Sequence, residues 1–367
     1  MEHRKLGSFS EMKYGRMPDK KKLLDKGEYP VFSGYRIVGY YDECNIYKQE
    51  LIVVARGVGG TGDVKLSPGA CFLTNLSIAV IVDESVALKE YLYYYFQINN
   101  LRYLDSGSAQ SQITIADLKN VVVPIPSLDQ QRKVVEILRR YDEKIEVNNK
   151  INDNLQQQAL AIFQQELLRD GELPEGWSIG SLLDIANYLN GLAMQKFRPA
   201  DGENGLPVLK IKELRQGSCD ASSELCSPSI KPEYIIHDGD VIFSWSGSLL
   251  VDLWCGGTCG LNQHLFKVTS DKYPKWFYYA WTAHHLDRFV AIAADKATTM
   301  GHIKREELAK AEVVIPDVAS MERIGGILQP MYDIIISNRI ENRKLAALRD
   351  TILPQLMSGE LDVSDLT

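Results

Sequence analysis

Apolar residues recur at spacings of four and three in two long segments, each of which follows a proline-ended apolar run. This spacing predicts a long helix with the a/d seam of a coiled coil. In the first segment the seam positions are Val134, Leu138, Tyr141, Ile145, Asn148, Asn152, Leu155, Ala159 and Ile162. In the second they are Ile324, Leu328, Met331, Ile335, Asn338, Asn342, Leu345 and Ile352. Two asparagines therefore fall on each seam.

A different pattern precedes each of these segments. Short apolar runs such as YPVFSGYRIVGYY, LIVVA and VIFSW alternate with Gly and Asn, which is typical of short β-strands. An aromatic helix (EYLYYYFQINNL; KWFYYAWTAHHL) and a closing strand (NVVVPIP; AEVVIP) follow in both places. We therefore predict two α+β domains with mainly antiparallel or mixed sheets.

The two halves of the chain are an internal repeat. Residues 113–167 align with residues 303–357 without a gap, at an offset of 190 and with 13 identities in 55 positions. Upstream, LIVVARG aligns with VIFSWSG, LTNLSIAV with LNQHLFKV, and LYYYF with FYYAW. We expect a first domain at 1–127, a helix at 128–170, a second domain at 171–317 and a second helix at 318–367.

Asparagines at equivalent seam positions in both copies favour pairing of the two helices with each other. A buried seam Asn costs stability unless it is hydrogen-bonded, and it commonly fixes register and partner choice. We therefore predict that Asn148, Asn152, Asn338 and Asn342 pair the helices as an antiparallel coiled coil. The alternative is that these side chains face solvent. A forty-residue helix is about 60 Å long, which would separate the two domains.

Composition favours a globular protein and restricts its nucleic-acid surface. The chain has 367 residues, 45% of them hydrophobic, no apolar run long enough for a membrane span and no signal-like N-terminus, so we expect a cytoplasmic location. Its net charge of -7 implies that any DNA-binding surface is local.

Two patterns suggest chemistry of another kind. Gly57, Gly59 and Gly62 match the spacing of a dinucleotide-binding turn, but the following residues alternate and meet Pro68 and Gly69, so no helix is predicted after them. We interpret ARGVGGTG as a tight turn between two strands.

Cys255, Cys259 and His264 have a spacing that suggests a metal site. A structural zinc site needs four ligands, and the nearest other cysteines, Cys219 and Cys226, lie far upstream at no standard spacing. We expect no metal and interpret the two cysteines as small buried residues in a Gly-rich strand connection.

The whole arrangement resembles the specificity (S) subunit of Type I restriction-modification systems over essentially the full length. The resemblance is carried by the duplicated order of domain and helix, LPEGWSIGSLLDIA, GDVIFSWSGS, the GSAQSQI and ATTMGHI turns, and LPQLMSGELDV. The first domain departs from the pattern, since MEHRKLGSF lacks the LPxGW opening.

The resemblance implies a non-catalytic, sequence-specific DNA-binding subunit. It implies that two target-recognition domains each recognise half of a bipartite site in double-stranded DNA, with the paired helices as a ruler between them. It also implies assembly with two methylation subunits and two restriction subunits, on which S-adenosylmethionine, ATP and Mg are expected. No cofactor is expected on this chain.

Base recognition needs Arg, Lys, Asn, Gln, Ser or Thr on loops, and basic or hydroxyl groups bind phosphates. In the first domain the candidates are Arg16, Lys20, Lys21, Lys22, Tyr35, Arg36, Arg56, Ser108, Gln110 and Gln112. In the second they are Gln195, Lys196, Arg198, Lys210, Lys212, Ser246, Ser248, Gln263, His264, Lys296, Thr298, Thr299 and His302. For each of them a solvated surface role or a turn-capping role is the alternative.

Two other functions are alternatives to DNA recognition. A stand-alone methyltransferase or nuclease is disfavoured because the sequence has no P-loop, no N-P-P-Y or D-P-P-Y tetrapeptide and no paired-carboxylate nuclease motif. His284 and His285 are adjacent and so point to different sides of a helix, which does not suit a catalytic pair. A scaffold that binds only protein stays open.

Overall fold

The described residues of the first domain form three small sheets and two α-helices. The computed structural model describes residues 2–57, 60–105, 112–168, 171–295 and 303–361. The strands of this domain are β1 (Glu2–Lys5), β2 (Ser10–Tyr14), β3 (Tyr29–Phe32), β4 (Ile37–Tyr41), β5 (Leu51–Val54), β6 (Val64–Leu66), β7 (Phe72–Leu73), β8 (Ser77–Val82) and β9 (Val122–Ile125). Its helices are α1 (Lys89–Ile98) and α2 (Ile115–Lys119), and the long helix α3 (Leu128–Leu167) follows.

The second domain has the same plan, with three additional short α-helices among its described residues. Its strands are β10 (Ser178–Ser181), β11 (Asn187–Asn190), β12 (Leu206–Leu209), β13 (Leu225–Cys226), β14 (Ile235–Ile236), β15 (Val241–Ser244), β16 (Leu250–Leu253), β17 (Cys259–Leu261), β18 (Leu265–Thr269) and β19 (Glu312–Ile315). Its helices are α4 (Leu182–Ile185), α5 (Ile211–Gln216), α6 (Lys275–His284), α7 (Leu286–Asp295) and α8 (Arg305–Ala309), and the long helix α9 (Val318–Ser358) follows.

The sheets of the two domains correspond one to one. An antiparallel sheet has the order β2-β8-β5-β6 in the first domain and β11-β18-β15-β16 in the second. A mixed sheet contains one parallel pair in each domain, β3 with β7 and β12 with β17. The opening and closing strands also pair, β1 with β9 and β10 with β19, so the first domain keeps this strand pair without an LPxGW opening. The predicted α+β class with mixed and antiparallel sheets is confirmed.

Parts of both long helices complete the core of each domain. The first core includes Val134 and Leu138 from α3 and Leu353 and Leu356 from α9, all of them buried. The second core includes Phe163 and Leu167 from α3 and Ile324 and Leu328 from α9. Each domain therefore packs against the beginning of the helix that follows it and the end of the other helix.

The two long helices pair antiparallel, as predicted. Asn148 donates from Nδ2 to Oδ1 of Asn342 at 2.8 Å, and Asn338 donates from Nδ2 to Oδ1 of Asn152 at 2.9 Å. Asn148 also donates to Oε2 of Glu341 at 2.7 Å. Because the repeat makes Asn148 equivalent to Asn338 and Asn152 equivalent to Asn342, the bonds Asn148–Asn342 and Asn338–Asn152 are related by a local pseudo-two-fold axis. Among the helices in the described parts of the chain, none is long and apolar enough to span a membrane.

The predicted boundaries of the four segments remain predictions, although the first residues of the two long helices coincide with two of them. The helices begin at Leu128 and Val318, the first residues of the two predicted helical segments. In terms of packing, residues 144–345 form one compact unit and the rest of the described chain forms the other.

Candidate nucleic-acid interface

A backbone junction between two strand ends recurs in both domains, and we call it the strand junction. In the first domain it joins Gly15–Arg16 to residues 73–77, and in the second it joins Gly191–Leu192 to residues 261–265. Three hydrogen bonds from a backbone N–H to a backbone carbonyl define it in each domain. In the first domain they run from Gly15 to Ser77 (3.0 Å), from Arg16 to Leu73 (2.9 Å) and from Asn75 to Arg16 (2.9 Å). In the second domain the matching bonds run from Gly191 to Leu265 (3.0 Å), from Leu192 to Leu261 (2.9 Å) and from Gln263 to Leu192 (2.9 Å).

A glycine begins the strand junction because the facing backbone lies too close for a side chain. A Cβ on Gly15 would stand 2.1 Å from the carbonyl oxygen of Thr74, and one on Gly191 would stand 2.2 Å from that of Asn262. The two domains therefore hold the same backbone geometry here, and their chemical difference lies in the side chains around it.

The strand junction shows which candidate residues are equivalent. Arg16 occupies the place of Leu192, and Asn75 occupies the place of Gln263. The next strand corresponds as well, because the backbone amide of Thr74 donates to the carbonyl of Phe32 at 3.0 Å and the backbone amide of Asn262 donates to that of Leu209 at 3.2 Å. The segment after this strand therefore starts at the same place in both domains, at residues 33–36 in the first and 210–213 in the second.

In the second domain the strand junction borders a surface cavity of about 470 Å³. It is lined by residues from four separate segments: Met194, Gln195, Arg198, Lys210, Ile211, Lys212, Glu224, Asn262, Gln263 and His264. Six of the candidates from this domain are thus brought together, although they span a large part of its sequence. Lys196 belongs to the three-residue 3₁₀ turn Met194–Lys196 beside them and is exposed.

Charges in this cavity are arranged around one carboxylate. Glu224 accepts a hydrogen bond on Oε1 from Nζ of Lys210, and its Oε2 lies 3.3 Å from Nη2 of Arg198. The hydrogen bond from Lys210 is the main cause that lowers the pKa of Glu224. Lys212 contacts Oδ2 of Asp220 at 3.5 Å and Oγ of Ser222 at 2.8 Å instead. The cavity thus presents ionised donors beside an ionised acceptor.

Ser246 and Ser248 are not among the residues that line this cavity. Ser244 donates from Oγ to the carbonyls of Ser246 at 3.3 Å and Ser248 at 2.9 Å, which fixes the turn between β15 and β16. Ser246 is buried, whereas Ser248 is exposed. Ser246 therefore lies inside this turn.

In the first domain, Tyr35, Arg56 and Gln112 lie together. The Tyr35 hydroxyl donates to the carbonyl of Arg56 at 3.2 Å, and Arg56 forms an isolated antiparallel bridge with Gln112. Arg16 and Arg36 are both exposed.

Lys20–Lys22 form an exposed 3₁₀ turn of their own in this domain, where Oδ1 of Asp19 accepts from the Lys21 amide at 3.0 Å. The remaining candidates lie outside the described residues: Ser108, Gln110, Lys296, Thr298, Thr299 and His302.

The glycine-rich stretch is the turn of a β-hairpin, as predicted. β5 and β6 pair antiparallel, and the Gly62 amide donates to the carbonyl of Val54 at 2.9 Å. Gly62 has a φ of +92°, which favours glycine. A Cβ on Gly60 would stand 2.1 Å from Cε1 of Tyr35. Gly62 thus serves the turn and Gly60 the close approach of a tyrosine ring, while Gly59 lies outside the described residues.

The cysteines of the suspected metal pattern are buried, as the alternative interpretation predicted. Cys259 lies in β17 and Cys255 lies between β16 and β17. Burial raises the pKa of the Cys255 thiol to about 11, which disfavours the thiolate that a metal requires. No cluster of three metal-ligating side chains occurs among the described residues.

Two residues at this interface were missed by the sequence reasoning. Asn75 is equivalent to the candidate Gln263, and the repeat alignment of LTNLSIAV with LNQHLFKV contained that signal. Glu224 had no such signal, because only the pairing of β13 with β12 brings it to Lys210.

Two copies of one domain, each with polar and basic side chains around the same strand junction and joined to paired long helices, define a DNA-specificity protein. The family model described as "Type I restriction modification DNA specificity domain" matches residues 1–157 and 174–347. The chain belongs to this family and carries two tandem specificity domains.

The chain is similar to known specificity subunits along most of its length. It is 26% identical over 354 residues to the Type I restriction enzyme MjaIX specificity subunit of Methanocaldococcus jannaschii, covering 88% of this chain and 81% of that protein. It is 24% identical over 199 residues to the EcoBI specificity subunit of Escherichia coli, covering 52% of this chain and 40% of that protein.

A solved structure has the same fold. The S subunit of a Type I restriction-modification system from M. genitalium matches with a TM-score of 0.61 and 16% sequence identity, covering 97% of this chain and 95% of that chain. At this identity the likeness concerns the fold alone.

Proposed function

We propose that this chain recognises a bipartite site in double-stranded DNA, with one half-site bound by each domain. The observation that carries the proposal is the strand junction, which has the same backbone in both domains but different side chains around it. Because the backbone geometry of the junction is the same, both domains can be placed on DNA in the same way. Because the side chains around it differ, the two domains can recognise different base sequences.

The paired helices set the gap between the half-sites in this proposal. Two features support a ruler: α3 and α9 are 40 and 41 residues long, and their asparagines fix an antiparallel register. A four-residue insertion near Asn154 adds about one turn, or roughly 6 Å of helix. We expect it to lengthen the preferred gap.

The chain acts as a non-catalytic member of a larger complex in this proposal. It recruits two methylation subunits and two restriction subunits, and S-adenosylmethionine, ATP and Mg bind to those partners. The family supports this assignment, since a specificity subunit supplies recognition to enzymes that act on DNA.

The test is selection from a random pool of double-stranded DNA by the chain together with its methylation subunits. We expect two short conserved blocks separated by a gap of fixed length and free sequence. Exchange of residues 171–317 for the corresponding domain of another specificity subunit should change one block and leave the other unchanged. A single continuous block, or no enrichment, would contradict the proposal and favour a protein-binding scaffold.

A further inference from the structure

The cavity of the second domain contains three charged residues that we call the Glu224 cluster: Arg198, Lys210 and Glu224. One carboxylate oxygen of Glu224 accepts from Lys210 and the other faces Arg198 at 3.3 Å. The two partners of the carboxylate therefore hold it in one orientation, with the Arg198 guanidinium beside it and about half exposed.

Two members of the Glu224 cluster, Lys210 and Glu224, adjoin regular backbone structure, whereas Arg198 lies in the loop after the 3₁₀ turn Met194–Lys196. The Val208 amide donates to the carbonyl of Glu224 at 2.7 Å, which continues the pairing of β12 with β13. Lys210 precedes α5, and its amide donates to Oε2 of the buried Glu213 at 3.3 Å. Side chains on such supports are placed more precisely than side chains on free loops.

The two adjacent donors of a guanidinium, with an acceptor beside them, match the major-groove edge of one kind of base pair. In the major groove a G·C pair presents the N7 and O6 acceptors of guanine next to the N4 amino donor of cytosine. Arg donates to guanine N7 and O6, and a carboxylate accepts from cytosine N4. An A·T pair also presents a donor, the adenine N6 amino group, but this donor lies between the N7 and O4 acceptors, so no two acceptors lie side by side for one guanidinium.

The first domain has different chemistry at the corresponding place. The strand that pairs with β3 there begins with Ile37 and Val38, which are 46% and 37% exposed. Ser33 takes the position that Lys210 has after the equivalent strand. Among the described residues at this place, the charged cluster is thus a property of the second domain.

We propose that Arg198 and Glu224 together specify one G·C base pair in the half-site of the second domain, with Lys210 positioning the carboxylate. This inference rests on the proposed function, since it assigns a base preference to the site already proposed.

The test repeats the DNA selection with the chain and its methylation subunits, comparing wild type with Glu224→Gln and Arg198→Met. Wild type should select a G·C pair in the second half-site. Each variant should lose roughly 5- to 150-fold of the discrimination at that pair, the range for one good base contact. Overall affinity for the pool should change much less.

Two controls separate base recognition from a structural role. Glu233→Gln removes an exposed carboxylate from a 3₁₀ turn of the same domain and should leave all base preferences unchanged. The first half-site is an internal control, because a folded complex keeps its preferences there in every variant. Arg198 is exposed, so Arg198→Met tests the inference even if Glu224→Gln impairs folding.

The outcomes distinguish this inference from the proposed function. If wild type selects no bipartite site, the proposed function fails and this inference fails with it. If wild type selects a bipartite site but its second half has no G·C pair, or neither variant changes a preference there, the inference alone is overturned.

Discussion

Tyr35 lies across the glycine turn of the first domain, and this contact explains residues that a motif search assigns to nucleotide binding. A Cβ on Gly57 would stand 2.1 Å from the Tyr35 hydroxyl oxygen, and one on Gly60 would stand 2.1 Å from its ring. The sequence excluded a following helix and so predicted a turn. It did not predict the tyrosine, because nothing in a local pattern links Tyr35 to a turn so much later in the chain.

Replacement of Gly60 by Ala tests this contact. We expect Gly60→Ala to lower the free energy of unfolding by about 1–3 kcal/mol, the usual cost of overpacking, in urea denaturation. In a Tyr35→Ala background the added cost should largely disappear, because the ring that the Cβ meets is gone.

Gly62→Ala is the matched control for Gly60→Ala. Its Cβ would meet the backbone nitrogen of Arg102 at 2.6 Å, and its φ is +92°, so removal of Tyr35 should not rescue it. Equal costs for Gly60→Ala in both backgrounds would contradict the role given to Tyr35.

At the scale of elements, the long helices were predictable and the sheet order was not. Heptad spacing and duplication determine the helices and their asparagine seam, since both are local or repeated signals. β3 pairs in parallel with β7, and β12 with β17, through strands of four residues or fewer. Such short strands carry little periodicity, so the grouping of Arg198, Lys210 and Glu224 could not be derived from sequence alone.

The asparagine seam predicts a non-additive pair of mutations. Asn152→Leu removes the acceptor of the Asn338 amide in a buried position, and we expect a loss of about 1–3 kcal/mol of stability. Asn152→Leu with Asn338→Leu replaces both partners by apolar groups and should be nearly neutral or stabilising. A double-mutant cycle in urea measures this coupling, and simple additivity would contradict a shared hydrogen bond.

For the whole molecule, residues from both ends of the sequence complete one core. Leu353 and Leu356 lie near the end of α9, yet both are buried in the core of the first domain with Leu51 and Val53. The seam pattern showed that these residues belong to a helix. It could not show which domain they pack against, because that depends on tertiary contacts.

This packing predicts where a mutation near the end of α9 acts. Leu356→Ala should cost about 2–5 kcal/mol and should increase hydrogen exchange in β5 of the first domain, with little change in β15 of the second. Leu348→Ala on the same helix removes a side chain that is 54% exposed and should change neither. Faster exchange in β15 than in β5 would contradict this packing.

In the proposed function, two domains recognise two half-sites at a distance set by the helix pair. The antiparallel register allows a change of that distance that leaves both domain cores intact, because Lys144 and Ala346 lie at matched positions on α3 and α9, at the sequence boundary between the two compact units. Seven residues inserted before Lys144 and seven before Ala346 preserve the heptad seam, both asparagine pairs and the ion pairs of Arg339 and Arg343 with the second domain. They add about 10.5 Å of helix, which corresponds to about three base pairs of DNA.

The most direct measurement is DNA selection by the wild-type and the doubly extended chain, each assembled with its methylation subunits. We predict that both select the same two half-site sequences and that the gap is about three base pairs longer for the extended chain. An unchanged gap, with both half-sites still selected, would contradict the hypothesis that the helix pair sets the distance between the half-sites.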